Sequence, residues 1–268
     1  MVALGDGPTH LPVGYVRVAD GDLEGFAAPF AVEWLQSILA RGWEPYLWAQ
    51  FGEAAPTIGG RGPVLTTRTP DSAGDSPDRA ERWVFRHYRR GGLAAPILGD
   101  RYVRVGSPRP HAELLASETA RSRGLATPRV VAGSVRRSGP FYRADLVTEF
   151  VRDARTLADV LLDNRGVSGR VHALHATGLL VRRLEQARVV HRDLNARNVL
   201  IRESANVGAS AWVIDLDRCT LRGLDDPPPP PVMRRRLERS LRRLGEALTV
   251  RLSSGEWGAL QAGYDEYA

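Results

Sequence analysis

The pair of strings HRDLNARN (191–198) and IDLD (214–217) restricts the fold of this chain more than any other feature. Three oxygen-bearing side chains stand at fixed intervals: Asp193, Asn198 five residues on, and Asp215 a further 17 residues on. Short β-prone runs flank them, around Val189, at Val199–Ile201 and at Trp212–Ile214. Such spacing predicts two loops, each hung from short strands, that must converge if the three side chains are to act together. A lone His-Arg-Asp triplet is a commonplace charged turn. The whole eight-residue string, followed by a strand ending in Asp, is not.

The chemistry explains the spacing. A carboxylate accepts or orients the proton of an attacking hydroxyl, and an amide oxygen and a second carboxylate hold a hard divalent cation. The string matches the catalytic-loop pattern H-R-D-L-x-x-x-N of protein-kinase-like phosphotransferases at every fixed position. Asp193 is then the candidate general base, with Asn198 and Asp215 as candidate Mg²⁺ ligands. His191 and Arg192 are expected to brace the loop rather than react. The ATP-covering half should lie upstream. Gly59, Gly60 and Gly62 could form a hairpin whose backbone N–H groups cover phosphates, and the same glycines also suit a plain turn.

A cation on the third strand is the next required part, and here composition decides. All 37 residues of the Lys+Arg class are arginine. Schiff-base chemistry, a lysine general base and a P-loop ending in Gly-Lys are thereby excluded. The phosphate-holding cation must be a guanidinium, and Arg86, on the β-prone run Trp83–Tyr88, is the candidate. Its expected partner is Glu113, early in the next helix, with Glu118 as the alternative on a different helix face. Glu149 and Phe150 fall where an inter-lobe hinge would meet adenine.

The formal net charge of +6 points to an acidic partner: nucleic acid, an anionic membrane or a phosphorylated substrate. Interleaved aromatics and nucleic-acid modules are missing from the basic stretches, so no nucleic acid is expected, nor is an obligate protein partner. The single Cys219 favours a reducing compartment, and we read it as a small packed residue. The chain shows no signal peptide and no apolar run of bilayer length, which points to the cytoplasm. His172 and His175 stand three apart on a helical stretch, but without further ligands they do not read as a metal pair.

Periodicity predicts helices over Pro29–Arg41, over Arg109–Arg123 with Gly124 as its C-cap, over Thr156–Leu162, Ser168–Gln186 and Met233–Leu248. Further β-prone runs cover Val130–Val135 and Phe141–Phe150, and Pro227–Pro231 reads as a stiff spacer. The outcome is an α+β, bilobal, protein-kinase-like fold. A β-rich N-lobe with one helix is expected over 1–150, and a reduced, mainly helical C-lobe over 151–268. In the last helix Leu237, Leu241, Leu244 and Leu248 share a face while six arginines crowd the remainder. Such a helix can lie on an anionic membrane, or pack its leucines into the C-lobe with its arginines in solvent.

RHYRRGGL (86–93), LVTEF (146–150), HRDLNARNVLI (191–201) and VIDLDRC (213–219) together resemble the 3-deoxy-D-manno-octulosonic acid (Kdo) kinases, of the lipopolysaccharide kinase group. The sequence DLN in the catalytic loop and Asp217 after the metal-binding Asp are the more specific marks. The resemblance runs from about Gly59 to at least Cys219. It implies ATP- and Mg²⁺-dependent phosphorylation of the 4-hydroxyl of Kdo on a lipid A precursor, with Asp193 as base and Asn198 and Asp215 as metal ligands. It also implies a peripheral position on the cytoplasmic face of a Gram-negative inner membrane, and places Arg86 at the family's RHY position. One departure is visible: Leu184-Glu185 stands where the family commonly has Leu-His. Only 51 residues follow Asp217, with no Ala-Pro-Glu anchor, which disfavours a peptide substrate. The competing readings are a protein or aminoglycoside-type kinase with the same core, and a non-catalytic basic binding protein on a degenerate kinase fold.

Overall fold

The computed structural model describes residues 10–52, 55–59, 62–71, 73, 81–89, 99–163, 167–204, 208–248 and 251–266. It divides the chain into two units, Met1–Glu118 with Arg129–Phe150, and Thr119–Pro128 with Val151–Ala268.

The first unit is built on an antiparallel sheet. Its strands are β1 (Val16–Asp20), β2 (Leu23–Ala27), β3 (Ala55–Gly59), β4 (Gly62–Arg68), β5 (Arg82–His87), β6 (Tyr102–Val103), β7 (Val130–Ser138) and β8 (Phe141–Glu149). Their order is β1-β2-β7-β8-β5-β4-β3, with β6 paired to the start of β8. Alternation along β5 and β8 sorts side chains to two faces. Trp83, Phe85 and Val147 join one core cluster, while Tyr88, Ala144 and Leu146 join another.

Two helices serve the first cluster: α1 (Val32–Leu39), which the periodicity located, and α2 (Pro45–Phe51), which it did not. From α1, Trp34, Leu35, Ile38 and Leu39 are buried. Trp34 meets Trp83, Trp48 and Phe85 edge-on at centroid distances of 5.0, 5.4 and 5.9 Å. Edge-to-face packing of this kind adds about 1 kcal/mol per pair to the burial itself. The second cluster receives Leu114 from α3 (Arg109–Ser122), whose chain turns off at Gly124 with φ +77°.

The second unit begins with β9 (Ala154–Thr156) and α4 (Leu157–Leu162), whose N-cap Thr156 accepts the Asp159 N–H at 3.1 Å. Then come α5 (Val167–Gln186), β10 (Val189–His191), β11 (Val199–Ser204), β12 (Gly208–Val213), β13 (Cys219–Leu221), α6 (Val232–Leu248) and α7 (Ser254–Asp265). The unforeseen α7 starts with a capping box, Ser253 and Glu256, and Arg170 of α5 pairs with the buried Glu256 at 2.7 Å. Here α5 and α7 cross with no room for side chains. A Cβ at Gly178 would strike the Leu260 carbonyl, and one at Gly263 the His175 carbonyl. Glu185, the departure noted in the sequence, is buried and accepts the Tyr264 hydroxyl at 2.6 Å. Burial raises its carboxyl above the ordinary range, outweighing Tyr264, Arg182 and Arg234, which lower it. This Glu fastens α5 to α7, a structural task.

Candidate active site

Two strand pairings hold the converging loops. Strand β10 pairs with β13, setting His191 opposite Cys219, and β11 pairs with β12, setting Val199 opposite Val213. The segment between His191 and Val199 and the segment between Val213 and Cys219 are therefore clamped side by side at both ends. Leu194 and Leu216, both buried, pin the middle of each segment.

His191, fully buried, joins the two loops from within. Its Nδ1 accepts the Asp193 backbone N–H at 3.1 Å, so the proton resides on Nε2, which donates to the Ile214 carbonyl at 3.0 Å. Burial holds this imidazole below its usual pKa despite the Ile214 carbonyl and three nearby aspartates. A neutral ring is what both hydrogen bonds require. The Ile214 N–H returns a bond to the Asn198 carbonyl at 3.1 Å.

Asn195 and Asn198 both donate their side-chain amides to the Asp193 carbonyl oxygen, each at 2.8 Å. The Asn195 amide oxygen is in turn engaged by the Arg197 N–H at 2.9 Å. For Asn198 the bond engages the amide nitrogen, so the amide oxygen is the atom that could hold a cation. Asp215 adopts the left-handed conformation, φ 65° and ψ 55°, just ahead of a short 3-10 turn, Leu216–Arg218. That backbone is strained by about 1–2 kcal/mol in a non-glycine residue, a cost commonly met where a side chain must be aimed. An amide oxygen and a carboxylate are hard donors that suit Mg²⁺. No cluster of three or more His, Cys, Asp or Glu side chains fit for a metal occurs among the described residues. Arg192 is turned to Thr220, donating from Nε to the hydroxyl at 3.0 Å, as a brace.

In the first unit Arg86 forms an ion pair with Glu113 and donates to the Tyr88 hydroxyl at 3.2 Å. Tyr88 donates to the same Glu113 oxygen at 2.6 Å, and the Arg86 guanidinium lies 4.7 Å from the Tyr88 ring centre. Glu113, rather than Glu118, is thus the carboxylate that meets Arg86. Glu118 takes the Tyr15 hydroxyl at 3.1 Å. The sequence reading overlooked Tyr88, although a residue two positions along a strand lies on the same face as Arg86.

On the opposite face His87 bridges two carboxylates, Asp145 at 2.6 Å and Asp100 at 3.1 Å. Asp145 is buried, and its other oxygen accepts the Tyr46 N–H at 2.7 Å. Burial alone would lower the His87 pKa, but the hydrogen bonds and charges of the two aspartates together raise it.

Gly59 and Gly62 face each other at the end of the β3–β4 hairpin, while Gly60 lies outside the described residues. Glu149 ends β8 opposite Trp83. The N–H groups of Glu149 and Phe150 bond to the carbonyls of Arg129 and Arg82. His175 pairs with Glu266 at 3.2 Å, and Cys219 is half-buried in β13. Among the described residues no helix is long and apolar enough to cross a membrane.

Comparison with known proteins agrees with this anatomy. The profile of the lipopolysaccharide kinase (Kdo/WaaP) family matches residues 67–264. A 3-deoxy-D-manno-octulosonic acid kinase of Actinobacillus succinogenes is 31% identical over 227 residues, 84% of this chain and 90% of that protein. Its counterpart in Vibrio cholerae is 32% identical over 177 residues, covering 65% and 68% respectively. A solved structure described as WaaP in complex with acyl carrier protein superposes with a TM-score of 0.50 at 20% identity, covering 86% of each chain, which shows the shared protein-kinase-like fold. The chain belongs to the lipopolysaccharide kinase (Kdo/WaaP) family.

Proposed function

We propose that the protein transfers the γ-phosphoryl group of ATP to a hydroxyl of Kdo, the 4-OH, on a lipid A precursor. The observation that carries this is the pair of clamped loops, in which His191 holds the Asp193 N–H while Asn195 and Asn198 both hold its carbonyl oxygen. The acceptor identity is supported by the relatives' names.

The acceptor hydroxyl is held at the Asp193 carboxylate, which orients it for in-line attack and takes its proton as the P–O bond forms. The γ-phosphoryl leaves ADP in the same displacement. The Asn198 amide oxygen and the Asp215 carboxylate would hold Mg²⁺, which would supply charge neutralisation to the transferred phosphoryl group. Arg86 grips phosphate oxygens of ATP, and its guanidinium stays charged at any working pH. Tyr88 and Glu113 fix the direction of that grip. Gly59 and Gly62, facing each other in the β3–β4 hairpin, cover the phosphates with backbone N–H groups, and Glu149 borders the adenine site. On this reading the N-lobe spans 1–150, apart from the segment Thr119–Pro128 that groups with the second unit, and the C-lobe spans 151–268. A lipid-linked acceptor sets the work at a membrane, with the protein peripheral on the cytoplasmic face of the inner membrane.

Incubation of purified Kdo-lipid A with Mg-ATP, with the product located by mass spectrometry, tests the reading. One phosphoryl group on Kdo, dependent on Asp193, is expected. Phosphate appearing only on peptides or aminoglycosides would reverse it.

A further inference from the structure

Helix α6 presents two faces of opposite character. Met233, Leu237 and Leu241 are 1%, 1% and 2% exposed, and Leu244 is half-buried. The apolar stripe is therefore engaged in the second unit's own core and cannot enter a bilayer. At about 100° per residue, Arg235, Arg236, Arg239, Arg242 and Arg243 fall on the opposite arc of roughly 120°. All but the half-buried Arg236 are exposed. Arg234, nearer the buried side, pairs with Glu238 at 2.9 Å, and Arg242 lies 5.0 Å from the Trp257 ring centre. Arg235, Arg236, Arg239 and Arg243 have no carboxylate partner among the described residues. Glu246 is the single acidic residue on the arc. Unneutralised guanidinia in such a row form a surface complementary to a dense layer of negative charge.

The buried face of the same helix reaches the catalytic loop. The Ser240 hydroxyl accepts the Ala196 N–H at 3.2 Å, and the Met233 sulfur accepts the His191 N–H at 3.2 Å. Ala196 and His191 lie on either side of Asp193 in that loop.

We propose that the arginine arc of α6 is the surface by which the protein rests on an anionic phospholipid bilayer, through guanidinium contacts without insertion. Through Ser240 and Met233 the helix fixes the height of the Asp193 loop above that bilayer. The inference deepens the proposed function, from which it takes the lipid-linked acceptor. The contact itself rests on α6 alone.

The test is co-sedimentation of the full chain with vesicles of phosphatidylglycerol and phosphatidylcholine, beside the triple variant R235Q/R239Q/R243Q. Each arginine near such a surface is worth about fivefold in partition, so the variant should bind about 100-fold more weakly. Wild-type binding should vanish in pure phosphatidylcholine and fall steeply with salt. With Kdo-lipid A embedded in the anionic vesicles, the variant should show a raised KM. Its kinetics on a deacylated, water-soluble acceptor should equal wild type. Undiminished vesicle binding by the variant would overturn the proposal. So would equal losses on the soluble acceptor, or binding of duplex DNA in place of vesicles. The vesicle measurement needs no turnover, so failure of the acceptor assignment would leave it readable.

Discussion

The neighbourhoods of Arg86 and of His191 hold functional side chains by opposite means. In the first unit, consecutive residues of one strand each enter an ionic network: Arg86 with Glu113 and Tyr88, and His87 with Asp145 and Asp100. In the second unit the catalytic loop is fixed by a neutral histidine, two asparagine amides and backbone groups. The division follows the tasks. On the proposed function, Arg86 presents positive charge to phosphate and is aimed by the opposite charge of Glu113. On the same reading, the loop that positions the Asp193 carboxylate is held by neutral groups.

This contrast can be broken most severely at Asp193. Asp193→Ala should lower kcat by about 10³-fold, the scale of lost general base catalysis, while ATP binding by equilibrium dialysis persists. Substantial turnover would remove the base from the account. Arg86→Ala should act on the other side, raising KM for ATP by about tenfold or more, in line with a lost charge-assisted contact. Tyr88→Phe keeps the ring under the guanidinium and deletes only the hydroxyl. A threefold to tenfold rise in KM for ATP is expected, about the worth of one hydrogen bond, with kcat on the acceptor little changed. Equal losses in kcat and in melting temperature would mark Tyr88 as a packing residue only.

The two histidines sharpen the comparison through pH. His191 has a lowered pKa in the fold, so below the unfolded value of about 6.5 the unfolded chain binds the extra proton first. Its contribution to stability is complete above that pH and erodes as pH falls. His87 has a raised pKa, so its contribution is complete below about 6.5 and is lost as pH rises through its folded value. Thermal melts of His87→Gln should show a deficit of about 2–3 kcal/mol at pH 6, since the buried Asp145 loses its charged partner. The deficit should shrink toward pH 8. A pH-independent deficit would mean that His87 is neutral in the fold. Packing far from either cluster should affect stability alone. Gly178→Ala should cost about 1–3 kcal/mol by forcing α5 and α7 apart, with KM for ATP unchanged.

Much of this was legible in the sequence because the catalytic chemistry is local. Asp193, Asn198 and Asp215 lie within one short stretch, so their spacing alone implied the paired loops. Arg86 was the candidate cation because no lysine exists and it lies on the β-prone run Trp83–Tyr88, and the structure sets it beside Glu113 and Tyr88. The choice between Glu113 and Glu118 needed the turn of α3 against β5, a tertiary fact. His87 with Asp145 was illegible for the same reason: strand register sets them together across 58 residues. Helix α2 escaped because PYLWAQF is apolar on nearly every face, which leaves no periodic signal. Helix α7 has a legible capping box at Ser253 and Glu256, which went unread because its apolar residues are sparse.

The most direct test is phosphoryl transfer to purified Kdo-lipid A by wild type and Asp193→Ala in parallel, read by mass spectrometry of the glycolipid. The account predicts one added phosphoryl group, on the Kdo 4-hydroxyl, with wild type and almost none with the variant. ATP-dependent product formed equally by both, or an unmodified glycolipid under wild-type enzyme that transfers the phosphoryl group of ATP to another acceptor, would contradict it.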